Sequence, residues 1–130
     1  MSVELWGLVG LAVLVLVYVG VQGLIIDLLG GIRWGTGPRD LPPPAHALIG
    51  RANRALRNLL ETAPAFMALV LVAELSGRAN VVTNTAVMVY LAARSLYLPL
   101  YLVGVPWLRS FAWNIATGAI VAVLVGIFIA

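Results

Sequence analysis

Arg51, Arg54, Asn58 and Glu61 follow one another in steps of three, four and three residues. On a helix such steps keep four side chains within about a quarter of the circumference. Tyr90, Arg94, Tyr97 and Tyr101 form a second stripe of similar width, and Arg109 follows shortly after. Together these residues hold more positive charge and more hydrogen-bond donors than Glu61 can balance, a set that suits an anionic ligand. The competing reading is structural. Glu61 and Arg94 would form an ion pair that locks two helices, with Asn58 and the tyrosines satisfying one another around it.

The elements that position these residues must sit in a bilayer. The chain has 130 residues, of which 62% are hydrophobic and only 10% charged, a composition far outside that of soluble domains. A crossing needs about 20 mostly apolar residues for a core of roughly 30 Å. Four are expected: Leu5 to Leu29, Leu59 to Ala73 or a little beyond, Val81 to Val105, and Phe111 to Ala130. The expected fold is all-α, an integral membrane four-helix bundle making one domain over residues 1–130. The first run carries Glu4 and stays apolar too long for a signal peptide, so it reads as a mature helix. The long connection, residues 30–57, contains Gly37-Pro38-Arg39-Asp40 and three prolines at Pro42 to Pro44. Helix should resume near Ala45 to Ile49 and run without a break into the second span.

The second and third spans form an antiparallel hairpin turning near Gly77 and Arg78. With a common rise per residue, positions at equal depth have numbers that sum to about 155. Glu61 is then level with Arg94, Asn58 with Tyr97, and Arg54 with Tyr101. A charge near the bilayer centre costs about 2.5 to 3.5 kcal/mol, so two polar stripes at matching depths are expected to line a shared cleft rather than face lipid. That cleft could lie within one subunit or between two. Arg33, Arg39, Arg51, Arg54 and Arg57 precede the second span and Arg109 separates the third and fourth, whereas the opposite side has Arg78 and Glu4. The positive-inside rule places the arginine-rich loops in the cytoplasm and both termini outside.

Several classes are excluded by what is missing. With no cysteine, the chain has no disulfide, no thiolate nucleophile of its own and no Cys-based metal site. His46 is the lone histidine, so no metal site is expected, and no nucleic-acid partner is expected either. All eight basic residues are arginine, a bias of composition or a need for planar, bidentate anion recognition. Tyr90 reads as a ring packed between helices. Pro99 should kink the third span, and the glycines of the spans should permit close helix approach. Asp27 reads as an anchor at the end of the first span. A small proton-coupled exporter would place a carboxylate in the middle of that span, where this chain has none.

The run Arg51-Ala-Asn-Arg54-Ala-Leu-Arg57-Asn58-Leu-Leu-Glu61-Thr-Ala-Pro64-Ala-Phe66 resembles the second-helix signature of the MAPEG family, the membrane-associated proteins in eicosanoid and glutathione metabolism. Ala93-Arg94-x-x-Tyr97-x-x-x-Tyr101 resembles the family's third-helix pattern, and Gly104-Val-Pro106-Trp-Leu-Arg109-Ser110 resembles the following loop as bacterial members carry it. The resemblance implies a homotrimer, placed in a bacterial inner membrane, with glutathione held between neighbouring subunits near the cytoplasmic face. It implies that Arg51, Arg54, Asn58, Glu61, Arg94, Tyr97 and Tyr101 hold glutathione and that Arg109 stabilises its thiolate. The implied activity is a glutathione-dependent transferase or peroxidase acting on lipophilic electrophiles. The alternative is a non-catalytic member that binds a lipid or a protein partner in the same groove.

Overall fold

A computed structural model describes residues 1–130 as helices and short connections. Helix α1 (Val3–Ile25) starts at Ser2, whose hydroxyl accepts from the Leu5 amide at 3.2 Å, and winds on through a π-helical turn, Ile26–Gly30. A single turn, α2 (Ile32–Thr36), lies in the connection. Helix α3 (Ala47–Leu75) begins where the prolines end. His46 caps it, its Nδ1 accepting from the Leu48 amide at 3.1 Å. As the sequence suggests, α3 extends well before the apolar part of its span, so Arg51, Arg54 and Arg57 ride on its first turns.

Asn80 starts α4 (Val81–Val103) through a reciprocal capping arrangement with Thr83, and Gly104 ends it in the left-handed region at φ 83°. Pro106 opens α5 (Pro106–Ile129) at a position where its missing N–H matters least. The fourth helix therefore begins five residues before the apolar run at Phe111, and this brings Arg109 into its first turn. Both Pro64 and Pro99 lie inside helices that continue past them.

Four of the helices, the first with its π turn, are long and apolar enough to cross a membrane. Helix α4 packs along α5 and α1 along α3, while contacts of α1 with α4 and of α3 with α5 close the bundle. Small residues permit this approach. Gly7 lies directly against the Val87 side chain, and Gly126 against Thr83. The interior is stitched by Phe66 stacked on Tyr90, with ring centroids 3.9 Å apart, and by the Tyr18 hydroxyl donating to the Arg94 carbonyl at 2.6 Å. Tyr90 is thus a packed interface ring. Near the chain start, buried Glu4 accepts from the Thr83 hydroxyl at 2.6 Å, and the Asn84 amide nitrogen, turned toward it, lies 2.6 and 2.7 Å from its two oxygens. Outside, the spans present large apolar side chains such as Leu16, Leu24, Met88 and Phe128. That is the surface a bilayer solvates.

Candidate functional site

Three elements meet where α4 ends and α5 begins. The first turns of α3 bring Arg51, Arg54 and Asn58, the end of α4 brings Tyr97 and Tyr101, and the start of α5 brings Arg109. The tight left-handed turn at Gly104 folds α5 back so that Arg109 lies over the Tyr101 ring, its guanidinium carbon 4.7 Å from the centroid. Arg54 Nε donates to the Tyr101 hydroxyl at 3.2 Å, and Arg51 Nη1 donates to the Leu102 carbonyl at 3.1 Å. Tyr97 packs edge-on against Tyr101 at 5.5 Å. Two adjoining cavities result. The outer one, about 200 Å³, is lined by Arg51, Arg54, Tyr101, Gly104, Pro106 and Arg109. The inner one, about 420 Å³, is lined by Asn58, Tyr97, Tyr101, Arg109 and three residues of α5. No carboxylate lines either cavity, so the guanidinium groups are left to an anion from outside the chain.

Two of the expected site residues stand elsewhere. Arg94 is fully buried and lines neither cavity. Its Nη1 donates to Asn58 Oδ1 at 2.7 Å and its Nη2 to the Thr62 hydroxyl at 2.6 Å, while its charge lies 5.3 Å from the Tyr97 ring centroid and 5.8 Å from that of Tyr90. Glu61 is exposed on the outer face of α3, in a shallow depression with Asn53, Leu56, Arg57 and Leu60. The ion pair of the competing structural reading, Glu61 with Arg94, is therefore not formed within the chain. Within one chain, Glu61 and Arg94 point in different directions. At 3.6 residues per turn Glu61 sits about 40° from Arg57 and about 60° from Asn58, so it turns toward the outer face.

Residues beyond the expected set complete the geometry. Thr62 takes half of the Arg94 fork, and its number sums with Arg94 to the value that marks equal depth. Ser110, Trp113 and Asn114 form the α5 wall of the inner cavity, and the Asn114 amide donates to the Ser110 carbonyl at 2.8 Å. Trp113 and Asn114 follow Ser110 at three and four residues, a helical spacing that the apolar run beginning at Phe111 masks in the sequence. Gln22 in α1 donates to Asn53 Oδ1 at 2.8 Å, on the side of α3 that carries Glu61.

Among known proteins, no curated sequence and no solved structure matches this chain. The family model described as MAPEG family does, over residues 5–129, nearly the whole length. With four apolar helices of spanning length and no strand, the protein is an integral membrane four-helix bundle, and it belongs to the MAPEG family.

Proposed function

We propose that the protein is a membrane-bound, glutathione-dependent transferase or peroxidase for lipophilic electrophiles, with glutathione as co-substrate in the cavities between α3, α4 and the start of α5. The observation that carries this reading is the meeting of three arginines, Arg51, Arg54 and Arg109, around cavities without a carboxylate. Glutathione brings two carboxylates, an ammonium and a thiol. Arg51 and Arg54 suit the carboxylates, as planar forks do. Arg109 suits the sulfur, because a cation in the first turn of a helix adds to the dipole of that helix and favours thiolate over thiol. In transfer, a bond forms from sulfur to the electrophilic carbon, the leaving group departs with its electron pair, and the thiol proton passes to water.

Glu61 of a neighbouring copy would serve the ammonium, and its place on the outer face supports a second part of the proposal. Glu61 and Arg57 share an exposed outer depression on a spanning helix. A charge facing hydrocarbon costs about 2.5 to 3.5 kcal/mol, so this face is expected to be covered by another copy, within a homotrimer whose sites lie at subunit boundaries. The arginine-rich loops lie on the cytoplasmic side by the positive-inside rule, in the inner membrane of a bacterium, and lipid surrounds the remainder.

Conjugation of glutathione to a chlorodinitrobenzene, followed by mass spectrometry of the product, tests the reading. The wild type should form the conjugate and Arg109→Ala should form it about 10- to 1000-fold more slowly. A wild type that forms none with this or any aryl halide or hydroperoxide, yet binds lipid in the same cavities, would make the protein a non-catalytic scaffold.

A further inference from the structure

Arg94 is the largest fully buried side chain of the bundle, and no carboxylate neutralises it. Both Nη groups are spent on neutral acceptors, Asn58 Oδ1 and Thr62 Oγ1, and Nε has no partner. An arginine cannot accept a hydrogen bond, so the side of the Asn58 amide that faces it must be the oxygen. That leaves the two hydrogens of Asn58 Nδ2 without a partner, on a residue that lines the inner cavity. Asn58 lies four residues deeper along α3 than Arg54, about 6 Å toward the bilayer centre. A tripeptide whose carboxylates sit on Arg51 and Arg54 would then place its thiol near Asn58, on the side from which a lipophilic acceptor arrives.

We propose that Arg94 is a positioning residue: it turns the Asn58 amide so that Nδ2 faces the inner cavity, and this donor, polarised by the buried guanidinium, holds the sulfur of the thiol substrate as its anion. The inference rests on the glutathione reading above and adds to it a second cation, behind the amide, that acts without touching the ligand. The charged and titratable groups around the sulfur position are Tyr97 and Tyr101 from α4 and Arg109 from α5, with Arg54 and Arg51 from α3 farther out. Glu61 faces away. A unit charge about 8 Å from the sulfur, at an effective dielectric constant of about 20, shifts a proton equilibrium roughly 30-fold.

The test follows thiolate ultraviolet absorbance against pH for glutathione bound to the detergent-solubilised full chain, with S-methylglutathione as a probe that has no thiol to ionise. Arg94→Met should reduce the bound thiolate at neutral pH by up to roughly 30-fold and leave S-methylglutathione affinity within roughly threefold. Arg94→Lys should restore part of the thiolate. Asn58→Asp keeps the bundle together through a new pair with Arg94 but removes the donor, so its thiolate signal should be lost even if Arg94→Met fails to assemble. An unchanged thiolate titration in Arg94→Met, or a retained signal in Asn58→Asp, overturns the inference and leaves the glutathione reading standing. Equal weakening of both ligands reduces Arg94 to a purely structural part and overturns it too. A wild type that binds neither ligand removes the glutathione reading and the inference together.

Discussion

Replacing Arg94 by methionine keeps most of the side-chain volume and removes two charge-assisted hydrogen bonds, 2.7 Å to Asn58 and 2.6 Å to Thr62. Each such bond contributes about 1.5 to 3 kcal/mol, and its loss also leaves an acceptor without a donor inside the bundle. Removal of the charge itself offsets part of that, because a buried guanidinium with no counter-ion carries a desolvation penalty. The net change in stability is therefore a poor probe, and a double-mutant cycle is a sharp one. Arg94→Met with Thr62→Val should show a coupling of about 1 to 3 kcal/mol, whereas Arg94→Met with Glu61→Gln should be additive to within about 0.5 kcal/mol. Reversible unfolding in mixed detergent micelles supplies the four stabilities of each cycle. A coupling of about 3 to 5 kcal/mol between Arg94 and Glu61, the range for breaking a buried ion pair, would refute the placement of Glu61 on the outer face.

Further outcomes follow from the same geometry. Arg54→Ala should weaken glutathione binding, and Arg109→Ala should leave binding largely intact while lowering turnover, a split that steady-state kinetics with varied glutathione would read. Gly104→Ala should destabilise the chain by about 1 kcal/mol or more, because φ is 83° there, and should weaken ligand binding as well, because the new methyl would meet the Arg51 guanidinium at 2.9 Å. Gly7→Ala should cost about 1 to 3 kcal/mol in thermal aggregation assays, since a methyl there overlaps the Val87 side chain between α1 and α4. An alkaline phosphatase fused after Ala130 should be active and a green fluorescent protein there dark; the reverse would place the arginine-rich cavities on the outer side.

Depth was legible in the sequence and direction was only partly so. A common rise per residue puts Arg54 level with Tyr101 and Phe66 level with Tyr90, and the first pair is hydrogen-bonded while the second is stacked. The same rule holds for Thr62 and Arg94. Azimuth is harder, since a stripe a quarter of a circumference wide can straddle the boundary between a cleft and an outer face. Arg51, Arg54 and Asn58 fall on one side of that boundary and Glu61 on the other. On α4 the stripe is narrow, yet it divides along its length. Tyr97 and Tyr101 stand near the Gly104 turn, where α5 diverges and leaves space, whereas Tyr90 and Arg94 lie deeper, where α3 closes over them. Glu4 shows a different blind spot. Its place outside the apolar core was evident, but its burial against Thr83 and Asn84 depends on how α1 leans on α4, which no local pattern encodes.

In the proposed function, the arginines around the two cavities hold glutathione. Calorimetric titration of glutathione into the detergent-solubilised protein at neutral pH measures this most directly. Saturable binding to the wild type, weakened in Arg54→Ala and again in Arg51→Ala, is the predicted result; a wild type that releases no heat of binding at millimolar glutathione, or arginine variants that bind as the wild type does, would contradict it.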